Sequence, residues 1–210
     1  MVWRKLPPLE IEKRSFEIIS RELAQTAIPA EQLPVLKRVI HTTADYDYVN
    51  NLYFSKGAVK AGLDALLSGA HIVTDTRMAQ AGINQKALGR LGGSLHCFMA
   101  DSDVAAAAKK RGITRAAVSM EKACTLNYSL LIAVGNAPTA LLRLSELLEA
   151  GHIAPSLIIG VPVGFVNVVE SKEIIKKAGF PCIIAEGRKG GSTVAAAICN
   201  ALLYEAVNQI

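Results

Sequence analysis

Five short apolar runs, four of them closed by Asp, Gly or Pro, punctuate the last two-thirds of this chain: "HIVTD", "SLHCFM", "SLLIAVG", "SLIIGVP" and "PCIIAEG". Stretches with helical spacing follow them, among them "DSDVAAAAKKRG", "APTALLRLSELLEAG", "VESKEIIKKAG" and "STVAAAICNALLYEAV". Strand and helix alternating at this interval build βαβ units, in which parallel strands are covered on both faces. The fold class is therefore α/β: three layers, an open and mostly parallel sheet, helices on each side. Ahead of it the rhythm is helical. In "LEIEKRSFEIISRELAQ", Leu9, Ile11, Phe16, Ile18, Ile19 and Leu23 form an apolar arc. Ser15 falls inside that arc and Glu12 near it, so the face is not fully dry. A second helix is predicted from about Glu31 into "RVIHTTAD", and a third over "KGAVKAGLDALLSG". No linker or repeat interrupts residues 1–210, which read as one domain with an N-terminal helical extension.

Composition removes several classes of function. The chain is 51% hydrophobic, yet no run approaches the ~20 apolar residues of a membrane span. "MVWRKLPPLEIEKRSF" lacks the apolar core of a signal peptide. Cys97, Cys124, Cys182 and Cys199 are scattered without a CxxC pair and read as reduced core residues, giving a cytoplasmic protein without membrane contact or metal site. The net charge is +5, but aromatics make up only 5% and the densest basic cluster is "KKR" at 109–111. That is a solvated helix end rather than a nucleic-acid surface. A cationic surplus of this size also suits an anionic small molecule.

In a parallel sheet, ligands bind beyond the carboxyl ends of the strands, and three of those ends carry unusual chemistry. "AVGNAPTALL" places Gly135, Asn136 and Ala137 between a strand and a helix that starts near Pro138, an arrangement that offers backbone N–H groups to an anion. "GVPVGFVNVVESKE" is a second Gly/Pro-rich loop. "AEGRKGGSTVAAA" is the third, with Arg188, Lys189 and Gly190. Each is equally readable as plain turn chemistry. Neither GxxxxGK[ST] nor GxGxxG is present at a strand end, which disfavours ATP, dinucleotide and sulfonium-cofactor enzymes.

"RVIHTTAD" joins a titratable group to charge. On a continuing helix, Arg38 and His41 are three apart and His41 and Asp45 four apart, so all three share a face. The carboxylate would favour imidazolium, and the arginine would hold an anionic ligand. That makes a proton donor beside an anion clamp. The alternative is a histidine at a helix C-terminus, favoured there by the dipole alone. His71, His96 and His152 carry no comparable pattern.

"RVIHTTAD", "FSKGAVKAGLDALLSGA", "GITRAA", "GNAPTALLRL", "GVPVGFVNVVESKE" and "GRKGGSTVAAAICNAL", in this order and spacing, resemble the precorrin-8X methylmutase family of cobalamin biosynthesis. The resemblance runs from about Glu10 to Leu203. Asn167 departs from it, standing where a smaller residue is expected. The resemblance implies an isomerase that moves a methyl group between adjacent carbons of ring C of a tetrapyrrole by a [1,5]-sigmatropic shift. The family's catalytic histidine falls on His41, and its substrate contacts fall on Ser15, Arg38 and Arg115. "TDTRM", with Thr74, Thr76, Arg77 and Met78, would line the pocket together with the GNAP and GRKGG loops. It further implies a homodimer with the site near its interface, possible hand-over to neighbouring pathway enzymes, and no cofactor, any cobalt belonging to the substrate.

The two readings meet in the chemistry of the ligand. A macrocycle with several carboxylate arms calls for arginines and helix N-termini around an apolar cleft. An intramolecular shift needs no methyl donor, so no cofactor loop is required. A non-catalytic carrier of the same fold is the alternative, but anion binding alone gives no reason for an acid at position 41.

Overall fold

The computed structural model describes residues 7–210, without the side chain of Leu9. Met1–Leu6, the start of the segment read as lacking a signal-peptide core, lie outside the described residues. The chain opens with α1 (Pro8–Glu22) and α2 (Leu33–Thr43), followed by the single turn α3 (Tyr48–Asn51), β1 (Leu52–Phe54) and α4 (Ala58–Leu67). The predicted alternation then unfolds: β2 (His71–Thr74), α5 (Arg77–Gly82), α6 (Gln85–Arg90), β3 (Leu95–His96), α7 (Ser102–Arg111), α8 (Arg115–Ala123), β4 (Leu130–Val134) and α9 (Pro138–Glu149). It closes with β5 (Leu157–Gly160), α10 (Val168–Lys177), β6 (Cys182–Ala185) and α11 (Ser192–Val207).

The six strands form one sheet in the order β1-β6-β5-β4-β2-β3. All neighbours run parallel except β1, which pairs antiparallel with β6, Leu52 opposite Ala185. Every residue of β2, β4, β5 and β6 is buried, as a doubly covered sheet requires. The pleat divides the strands between two cores. Leu131, Ala133, Leu157 and Ile159 join Val39, Ile40 and Leu202 on one side. Ile132, Val134, Ile158 and Ile184 join Met120, Leu141 and Leu144 on the other. So α1, α2, α4 and α11 cover one face, and α8, α9 and α10 the other.

The predicted elements differ from the observed ones at particular points. The helix expected from about Glu31 starts at Leu33, with Pro34 in its first turn, where the missing N–H costs nothing. "SLHCFM" yields only a two-residue strand at the sheet edge. The three residues of the edge strand β1 are too few to show the alternation that announces a strand. Asn167, the departure from the family pattern, has φ 57°. A glycine would hold that left-handed conformation without strain, and asparagine is the residue type that next best tolerates it.

Candidate active site

Two helices build the site around position 41. His41 lies in the last turn of α2, and its ring stacks on Phe16 of α1 with centroids 4.9 Å apart and planes 23° from parallel. Ser15, Ile18, Ile19, Ile40, His41, Ala44 and Tyr46 line a groove of about 290 Å³. Ser15, which broke the apolar arc of α1, therefore sits beside His41; its hydroxyl donates to the carbonyl of Ile11 at 2.9 Å. Tyr46 also lines the groove, and the nearby Glu22 carboxylate pushes the phenol's pKa up.

Arg38 shares this side of the helix. Its guanidinium lies over Phe16 at 5.1 Å and over Tyr204 of α11 at 4.6 Å, so two aromatic faces fix its plane. It also donates to Glu12 at 3.4 Å, which explains the carboxylate near the apolar arc. On its far side a second groove of about 400 Å³ runs past Leu33, Lys37 and Tyr204. Phe16 and Arg38 line this second groove, and Phe16 touches the first through its stacking on His41.

Asp45 does not share a helix face with His41. Ala44 turns left-handed at φ 53° and ψ 29°, and α2 stops there. Past this cap the Asp45 carboxylate pairs with Lys189 at 2.6 Å, and Lys189 reaches Asp47 at the same distance. The hydrogen bond from Lys189, joined by one from the Asp47 backbone, holds the Asp45 carboxyl below its ordinary range. Lys189, expected on the substrate, is in the structure a clamp between the β6–α11 loop and the end of α2.

A second correction concerns the GNAP loop. Its N–H groups are not free: Gly135 and Asn136 donate to the Asp75 carboxylate at 2.8 Å each, and Ala137 does so at 2.7 Å. Asp75 is fully buried at the end of β2. Burial pushes its pKa up while the three N–H bonds pull the other way. The anion site read from this loop is thus filled by the protein's own carboxylate. Gly135 is required by packing, since a Cβ there would meet the Ser192 backbone at 2.7 Å.

The remaining expected residues separate. Thr74 is buried, its hydroxyl facing the carbonyls of Thr76 at 3.2 Å and His96 at 3.3 Å, so it does not line a pocket. Thr76 caps α5 and shares a 2.8 Å hydrogen bond with Ser192. Arg77 and Met78 face solvent, Met78 being 69% exposed. Arg188 lies over the exposed ring of Phe165 at 5.5 Å. Gly190 admits no side chain, because a Cβ would fall 2.1 Å from the Val161 carbonyl oxygen. Arg115 opens α8, on the opposite face of the sheet from His41, and lines a groove of about 590 Å³ with Lys109 and Ile113. It is at the carboxyl end of the strands nonetheless, for the preceding Thr114 bonds to Thr139 at the start of α9. Among the described residues, no carboxylate pairs with Arg77, Arg115 or Arg188.

Four residues of consequence were not read from the sequence: Phe16 as the platform for His41, Tyr204, Asp75 and Lys172. Asp75 stood inside "TDTRM" and Lys172 inside "VESKE", but neither stretch says which polar side chain turns inward.

An open α/β sheet carries here an exposed histidine, a stacked arginine and, among the described residues, cations without a carboxylate partner, a combination that suits an anionic organic ligand. The precorrin-8X methylmutase family matches residues 10–205. The cobalt-precorrin-8 methylmutase of Salmonella typhimurium is 45% identical over 204 residues, 94% of this chain and 95% of that one. That of Priestia megaterium is 44% identical over 195 residues, covering 93% and 87%. The precorrin-8X methylmutase of Pseudomonas aeruginosa is 42% identical over 197 residues, 93% and 94% of the two chains. The crystal structure of a precorrin-8X methyl mutase from Thermus thermophilus matches with a TM-score of 0.87 at 39% identity, over 95% of this chain and 98% of that one. The chain belongs to the precorrin-8X methylmutase family, isomerases of cobalamin biosynthesis.

Proposed function

We propose that this chain moves a methyl group between adjacent carbons of ring C of a corrin-forming tetrapyrrole, with His41 supplying the proton that favours migration. In the [1,5]-shift one C–CH3 σ bond breaks as the other forms within the same molecule, and the π electrons of the ring relocate to balance it. The proton from His41 goes to the ring C nitrogen or its surroundings and returns afterwards, so no methyl donor or cofactor is needed. The observation that carries this reading is the setting of His41: exposed at a groove, its ring held against Phe16, with Ser15 beside it and Arg38 one turn away. Carboxylate arms of the substrate suit Arg38, Arg77, Arg115 and Arg188. The ring is either free of metal or carries cobalt as part of the substrate; the protein meets its periphery in both cases. The chain acts as a homodimer in the cytoplasm, a second copy bringing Arg115 from the far face of its own sheet toward the His41 groove, and passes its product to a neighbouring pathway enzyme.

Single-turnover conversion of the metal-free and the cobalt-bearing substrate, followed by absorbance, tests this directly. His41→Ala should lose roughly 10²–10⁴-fold in rate while retaining product affinity, which the carboxylate contacts sustain. Near-normal conversion by His41→Ala would remove the histidine from the mechanism.

A further inference from the structure

Lys172, in the second turn of α10, is 1% exposed, and its ammonium group has no carboxylate partner among the described residues. It donates instead to two carbonyls of one loop, Gly187 at 2.8 Å and Lys189 at 2.9 Å. The carbonyl between them, that of Arg188, accepts from the Gly164 N–H at 3.2 Å. Three successive carbonyls are thereby turned inward and tied, and the loop is stitched again where the Gly191 N–H meets the Val161 carbonyl at 2.8 Å. Gly187 and Gly190 take φ 66° and 153°, a course that glycine follows without strain and that leaves the tying of the loop to these hydrogen bonds. With its backbone fixed, the loop directs the Arg188 side chain outward at the carboxyl edge of the sheet, over Phe165. A buried, uncompensated ammonium is expensive, and burial pulls the pKa of Lys172 down to about 8. Closing an ordinary turn would not require it.

We infer that Lys172 is a positioning residue for ligand binding: it fixes the Gly187–Gly190 turn so that Arg188 is presented, already oriented, to a carboxylate of the ligand. The inference rests on the tetrapyrrole reading above and names a residue that acts on the ligand only through another.

A double-mutant cycle read by equilibrium titration with cobyrinic acid separates this from a purely structural role. Lys172→Met should weaken binding on the order of 10-fold in the wild-type background and have no further effect when Arg188 is already alanine. Lys172→Arg, which keeps a donor and a charge, should recover part of the loss. An equal loss in both backgrounds, or no loss at all, overturns the inference. Lys172→Gln, which retains amide donors, takes the place of Lys172→Met if the latter does not fold; failure of both to fold would assign the lysine to the fold alone and also overturn it. Wild-type protein that binds neither cobyrinic acid nor its cobalt-free counterpart, hydrogenobyrinic acid, would instead bring down the tetrapyrrole reading itself.

Discussion

Ala44 shows how a single residue shapes the site. It holds a left-handed conformation that an L-residue with a Cβ adopts at a cost of about 1–2 kcal/mol, and its N–H bonds back to the Ile40 carbonyl at 2.7 Å. This cap ends α2 within a turn of His41 and sends Asp45 toward Lys189 rather than toward the imidazole. Replacing Ala44 by glycine should raise stability by about 1 kcal/mol in chemical denaturation, since glycine caps a helix in this conformation without strain. An unchanged or lowered midpoint would show that the strain is not there to relieve. The same geometry explains why the i, i+4 pair His41–Asp45 was a reasonable expectation and failed. Spacing predicts a shared face only while the helix continues, and no glycine marks the stop.

Elements meet at two polar junctions. At the first, β2 delivers Asp75 to three N–H groups at the start of α9, where the helix dipole also favours negative charge. Asp75→Asn should lose roughly 2–3 kcal/mol of stability, because an amide cannot accept from all three donors; an equilibrium melt indistinguishable from wild type would contradict this. At the second, His71 of β2 and His96 of β3 lie side by side, Nδ1 to Nε2 at 2.9 Å, with Tyr128 stacked on His71 at 3.8 Å. Burial lowers both pKa values, and for His96 the charge of His71 adds to it. As pH falls below the ordinary value of about 6.5, the unfolded chain takes up protons first, so stability is present above that range and declines as pH drops toward 5. His96→Gln, which keeps a hydrogen-bonding nitrogen but does not titrate, should flatten the change in urea midpoint between pH 7 and 5. Parallel slopes for the two proteins would remove the pair as the cause.

At the scale of the whole molecule, the sheet separates the groups proposed for the reaction. His41, Ser15 and Arg38 lie on the layer of α1, α2 and α11, whereas Arg115 lies on that of α8 and α9. If a second copy supplies Arg115, then His41→Ala and Arg115→Ala subunits should complement each other. Random reassortment of equal amounts makes half the dimers mixed with one intact site in each, hence about a quarter of wild-type turnover. Two inactive parents whose reassorted mixture stays inactive would place Arg115 in the site of its own chain.

The sequence by itself determined the layered α/β class and the placing of Arg38 and His41 on one face of a helix. These are properties of local periodicity: a 3.6-residue repeat puts positions 38 and 41 on one face, and an apolar run needs no distant information to be read as a buried strand. Tertiary structure alone decided where the polar groups spend their hydrogen bonds. Asp75 fills the GNAP loop from about 60 residues away, Lys189 is drawn from the ligand to Asp45 and Asp47, and Lys172 turns inward to the Gly187 and Lys189 carbonyls. Each outcome depends on which donor and acceptor the fold brings within about 3 Å. Nothing in a residue's own neighbourhood along the chain encodes that distance.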